Sequence, residues 1–152
     1  MIQRIQSLYL LLAGIFPAIT LFSSVMLFSK DEKWITLSSM GYDATMIPEF
    51  AGKHPYGLTI FTFLSVVLAI VALFGYKNRK TQLRKVFFAI CSNILWYVSC
   101  AAYSYAVVDA TKLSPWFDFT ILFPLLAIVA LFMARRGIQK DEELVRAADR
   151  IR

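Results

Sequence analysis

No Asp, Glu, Lys, Arg or His lies deep in any of the long apolar runs of this 152-residue chain. Ion and proton pathways through a membrane normally depend on such groups, which are costly enough in hydrocarbon to mark function where they occur. Their absence argues against a pump, a channel or a proton-coupled transporter. Histidine occurs once, as His54. It shares a loop with Asp43 and Glu49, but the spacings match no metal motif, so no metal and no other cofactor is expected. No catalytic constellation stands out, and the chain reads as a non-enzyme. Cysteine is scarce as well. Cys91 and Cys100 stand nine positions apart in one apolar run, about 13 Å of rise on a helix. That is beyond the reach of a disulfide, so both read as small apolar side chains. Internal repeats and low-complexity segments are lacking.

What is abundant is apolar surface. The chain is 59% apolar, against about 45–50% in an ordinary soluble domain, and its mean hydropathy is +0.62. A chain this small cannot bury such an excess in one water-soluble core. The excess comes in blocks, as a bilayer requires. Spans are expected at 5–28, 58–76, 86–108 and 117–134. The first, of about 24 residues, is longer than a signal-peptide core of about 7–15 and precedes no small-x-small site, so a retained anchor is expected. Pro17 lies near its middle and predicts a kink, with Thr20, Ser23 and Ser24 nearby to satisfy the freed carbonyl.

Between the first two spans, residues 29–57 form an outer loop. Trp34-Ile35-Thr36-Leu37-Ser38 and Ala44-Thr45-Met46-Ile47 flank a turn at Met40-Gly41-Tyr42-Asp43 and suggest a small β-hairpin. The predicted fold is an all-α membrane protein, a four-transmembrane-helix bundle carrying that hairpin.

The formal charge of +6 would suggest nucleic acid in a soluble protein. Here the basic residues flank the spans, so no nucleic-acid partner is expected. Arg4; Lys77, Arg79, Lys80, Arg84 and Lys85; and Arg135, Arg136, Lys140, Arg146, Arg150 and Arg152 fall on one side. Only Lys30, Lys33, Lys53 and Lys112 fall on the other. The ratio is twelve to four, and positive loops stay in the cytoplasm. This predicts a multi-pass protein of the bacterial inner membrane with both termini and the basic link 77–85 inside.

The third span carries the most polar groups. Asn93, with Ser92 and Ser99, reads as an interhelical polar contact, worth about 0.6–2 kcal/mol in lipid, ahead of a substrate site. Trp96, Tyr97, Tyr103 and Tyr105 read as packing or interface anchors, with a lipid or quinone pocket as the alternative. The tail, 135–152, suggests a cytoplasmic amphipathic helix. Its stripe of Ile138, Leu144, Val145, Ala148 and Ile151, with Asp141 alongside, is the candidate partner-docking face; a plain solvated extension of the last span is the alternative. Glu142 and Arg146 form a favourable i, i+4 pair.

The opening Met1-Ile2-Gln3-Arg4-Ile5-Gln6-Ser7-Leu8-Tyr9-Leu10 and the ending Arg136-Gly137-Ile138-Gln139-Lys140-Asp141-Glu142-Glu143-Leu144-Val145-Arg146-Ala147-Ala148-Asp149-Arg150-Ile151-Arg152 resemble a family of small four-span membrane proteins classed as domain of unknown function 4293. The resemblance covers the whole chain. It implies an inner-membrane protein of Bacteroidota, supplies no catalytic residue and no activity, and draws attention to the two ends. The function expected is a non-catalytic accessory or scaffolding subunit of a larger inner-membrane complex, with membrane lipids and an integral-membrane protein as partners. The alternatives are a lipid- or quinone-binding protein or enzyme subunit and, less favoured, a small transporter.

Overall fold

The computed structural model describes residues 2–30, 32–44, 47–50, 52–76 and 78–151. Four helices, α1 (Ile2–Phe22), α2 (Tyr56–Phe74), α3 (Arg79–Thr111) and α4 (Phe123–Ile151), are joined by β1 (Ser24–Lys30), β2 (Lys33–Ser38), β3 (Tyr42–Asp43) and β4 (Ser114–Phe117). Short 3-10 turns lie at Pro48–Phe50 and Phe119–Leu122. All four helices are long and apolar enough to cross a membrane.

The first span is shorter than the hydropathy implies. The helix ends at Phe22, and the last five residues of the predicted apolar run belong to a strand, Ser24–Lys30. Hydroxyls close the helix: Ser23 Oγ donates to the Ile19 carbonyl at 2.9 Å and Thr20 Oγ1 to that of Phe16 at 3.1 Å. Neither serves the Ala13 carbonyl that Pro17 frees, and the helix runs past Pro17 unbroken.

The sheet is antiparallel throughout, in the order β3-β2-β1-β4. It is larger than the expected hairpin because β1 begins inside the segment read as the first span and β4 comes from the short connection before the fourth, of which only Phe117 falls in the expected span. A register shift between Ser24 and Met26 lets Val25 and Met26 both turn inward, while Leu27 faces out. β4 is an edge strand, which is where Pro115, with no N–H to donate, is tolerated. The hairpin partner of β2 is Tyr42–Asp43 rather than 44–47; Thr45 and Met46 lie outside the described residues.

Two cores result. One joins the sheet to the later half of α3: Val25, Phe28, Ile35 and Leu37 pack with Leu58 and Trp96. The other lies between helices and is rich in small residues, with Ala13, Ala69, Ala72, Ala89, Ala130 and Ala134 around Leu10, Leu131 and Ile138. Small residues let helix backbones approach where the solvent is lipid. The opposite faces are exposed and apolar, including Ile60, Phe63 and Val67 on α2, and Val129 and Phe132 on α4.

The basic link is mostly helix. Asn78 caps α3, its side chain accepting from the Thr81 N–H at 3.3 Å, so Arg79 to Lys85 form the first turns of α3. This placement satisfies the carbonyls that α2 leaves open at its end. Gln82 Nε2 donates to the Ala72 carbonyl at 3.0 Å and Lys85 Nζ to that of Val71 at 3.5 Å. With 33 residues, α3 is about 50 Å long against a hydrocarbon core of about 30 Å, so its ends project. The fourth span begins later than expected, with Phe117 in β4, Asp118 capping the 3-10 turn through the Thr120 N–H, and Pro124 in the first turn of α4. Residues 135–151 are not a separate tail helix but the direct continuation of α4.

Candidate functional site

Two places gather features that packing alone does not use up. The first is a cavity of about 440 Å³ between α3 and the sheet. One face of α3 supplies Tyr97, Cys100, Ala101, Ser104, Tyr105 and Val108, a set at helical spacing that spans about 16 Å of the axis. Met26 of β1, Phe117 of β4 and Ile121 of the 3-10 turn close the other side. Met26 and Cys100 are buried and form the floor, with Cys100 Sγ 3.7 Å from Met26 Sδ. Tyr105, 74% exposed, and Phe117, 70% exposed, form the rim. Tyr97 Oη donates to the Ile121 carbonyl at 2.6 Å and ties the wall to α3. Among the described residues, the Ser104 and Tyr105 hydroxyls on this wall hold no hydrogen bond.

Of the four aromatics read from the third span, Tyr97 and Tyr105 line this cavity. Trp96 is in the sheet core, and Tyr103 Oη accepts from the Gly57 N–H at 3.2 Å at the start of α2. Met26 and Phe117 were missed because a helical reading of their segments points them elsewhere; strand pairing sets them directly opposite each other.

The second place is where the beginning and the end of the chain meet. Gln6 Nε2 donates to Asp141 Oδ2 at 2.7 Å, and both residues are buried. Arg79 Nη1 donates to the Asp141 carbonyl at 3.0 Å. Gln6 lies across α4 at Gly137, where a Cβ would stand only 2.7 Å from Gln6 Cγ. Gln6, Arg79 and Asp141, together with Ser7, Leu73, Tyr76 and Gln82, bound a polar cavity of about 110 Å³.

This arrangement divides the expected docking face. Ile138, 1% exposed, belongs to the helix core, and Asp141, 9% exposed, turns inward to Gln6, so neither is on offer to a partner. Leu144 and Val145 are exposed, at 55% and 46%. The side chains of Ala148 and Ile151 lie outside the described residues. The Glu142–Arg146 pair is present at 2.6 Å; a surface pair of this kind is worth about 0.3–0.5 kcal/mol.

Ser92, Asn93 and Ser99 of α3 face α2. Asn93 Nδ2 donates to Ser65 Oγ at 2.6 Å and to its own helix at the Ala89 carbonyl at 2.8 Å. Ser92 Oγ donates to the Phe61 carbonyl at 2.8 Å. Ser99 abuts Gly57, where a Cβ would approach its Oγ to 3.0 Å. Away from the helices, burial pushes the Tyr42 phenol up to about 12, with Tyr103 and Cys100 adding to the rise. Among the described residues no three His, Cys, Asp or Glu side chains are grouped to hold a metal. His54 instead places Nδ1 3.0 Å from the Met40 carbonyl.

A family model described as Domain of unknown function (DUF4293) matches residues 2–151. Comparison with curated proteins finds no match.

Proposed function

The chain belongs to the DUF4293 family, whose description assigns no activity, and we propose that it is a non-catalytic accessory or scaffolding subunit of a larger assembly in the bacterial inner membrane. The observation that carries this reading is the far end of α4. It continues the last apolar helix without a break, is pinned at Asp141 to Gln6 and Arg79, and beyond that point exposes Leu144 and Val145. A stiff helix with an unpartnered apolar pair is suited to docking a partner helix. Asp141 is also the one buried charged side chain among the described residues, and it lies on α4 beyond the apolar stretch 117–134, which supports a role other than ion conduction.

The test is purification in a mild detergent through a tag. A protein partner is expected at fixed ratio, lost in the Leu144→Glu, Val145→Glu double variant with no change in the melting temperature of the subunit itself. Isolation as a monomer with no stoichiometric partner would refute the reading. The twelve-to-four distribution of Lys and Arg supports a cytoplasmic side for the connection between α2 and α3 and for the α4 end. In intact cells an impermeant maleimide is expected to modify Lys53→Cys and to spare Asn78→Cys, in a background lacking Cys91 and Cys100; the reverse pattern would invert the orientation.

A second reading, lipid or quinone binding, is favoured by the cavity beside α3.

A further inference from the structure

The geometry points to the cavity between α3, β1 and β4 as the seat of one acyl chain of a phospholipid, with the lipid's ester region at Ser104 and Tyr105. Three observations choose this occupant. First, the walls are almost wholly apolar and the floor is Met26 and Cys100. An unfilled apolar void forfeits dispersion contacts on all its lining atoms. The volume, about 440 Å³, is in the range of ordinary ligand sites. Second, the rim residues Tyr105 and Phe117 are exposed beside Trp116 and Phe119, on elements that join or flank helices apolar enough to cross a bilayer. What surrounds such a mouth is lipid.

Third, polarity rises in one direction along α3, in the order a phospholipid requires. Tyr97 and Cys100 stand at the apolar end. The unspent hydroxyls of Ser104 and Tyr105 follow one to two turns later and suit ester carbonyls, which accept but cannot donate. Thr111 continues the same helical stripe one turn past Val108, and Lys30 follows Met26 and Phe28 on the same face of β1. Thr111, Lys30 and Lys33 border a polar cavity that Glu32 also lines, and its two cations outnumber the one carboxylate where the phosphate would emerge. A quinone fits less well, because it needs donors at two opposed carbonyls and the two free hydroxyls lie together at one level of the stripe. This inference stands apart from the docking role of the α4 end.

The test uses the full chain in phosphatidylethanolamine–phosphatidylglycerol vesicles doped with phosphatidylglycerol carrying a diazirine at the end of one acyl chain. After irradiation, adducts are mapped by mass spectrometry. Adducts at Met26 and Cys100 are expected to reach the level of the lipid-facing Val129 and Phe132, while the equally buried Val86 and Leu131 stay unmodified. Floor labelling no greater than that of Val86 overturns the proposal, and this comparison needs no variant. Ala101→Trp, which fills the cavity from its open side, is expected to abolish floor labelling and leave Phe132 labelled; persistent floor adducts in that variant also overturn it. Loss of floor labelling on adding a long-chain quinone, but not on adding unlabelled phospholipid, would give the seat to the quinone instead. Lys30→Gln with Lys33→Gln is expected to reduce floor labelling by this probe and not by a diacylglycerol probe, which has the same chains and esters but no phosphate; an equal effect on both would refute the head-group placement.

Discussion

Trp96→Ala is expected to lower the unfolding free energy of the detergent-solubilised protein by about 3–5 kcal/mol, the cost of truncating a large buried aromatic. Trp96 is 1% exposed and is the largest fully buried side chain among the described residues. It fills the junction between α3 and the sheet, in the same core as Val25, Phe28 and Leu37, and meets the Tyr97 ring edge-on at 5.0 Å. Removing the indole therefore opens a cavity shared by a helix and two strands, and the loss of strand circular dichroism should track the loss of helix signal. Trp96→Phe is expected to cost much less than the alanine change. Its Nε1 has no hydrogen-bond partner among the described residues, so phenylalanine surrenders only volume and no buried hydrogen bond. Equilibrium unfolding in denaturant at constant micelle concentration measures both. A near-zero effect of Trp96→Ala would mean that the residue faces lipid, as an interface anchor on a bare four-helix bundle would.

That contrast shows where the sequence is legible and where it is not. Four apolar helices can be read directly, because length and unbroken hydropathy are what a bilayer demands of a span. Asn93 also announces itself, since an amide in an apolar helix must find a partner, and Ser65 on α2 supplies it. The sheet is harder to see. Ser24-Val25-Met26-Leu27-Phe28 continues an apolar run, and over so few residues periodicity does not separate a strand from a helix. The shift in register that buries both Val25 and Met26 also erases the alternation that would have marked a strand.

The cavity was hidden for the same reason. Half of it, the stripe from Tyr97 to Val108, is visible at helical spacing. The other wall exists only because β1 and β4 pair, which sets Met26 against Phe117. No local pattern reports a contact between positions so far apart. Likewise the pattern of the C-terminal segment sets Asp141 beside an outward docking stripe, because periodicity along one helix does not report what another helix brings to it. Asp141 is instead taken up by Gln6, and both belong to the terminal stretches that carry the family resemblance.

The contact between those ends carries the second large effect. Gln6→Leu is expected to destabilise the protein by about 1.5–3 kcal/mol, the worth of a hydrogen bond to a carboxylate, because Asp141 would remain buried with its described donor gone. Asp141→Leu removes the same hydrogen bond but leaves only a neutral amide unpaired, so its cost should be smaller. Replacing both partners by leucine should recover much of the loss, since an apolar pair strands no polar atom. The double-mutant cycle then isolates the coupling between α1 and α4. Gly137 supports the contact, because its missing side chain lets Gln6 lie against the helix: Gly137→Ala should push Gln6 away from Asp141 and destabilise the protein in the same direction as Gln6→Leu. Additive effects of the two leucine changes would show that the carboxylate draws its support from the Arg79 side of the cavity, and the α4 end would then be held by the basic start of α3 and not by the first helix.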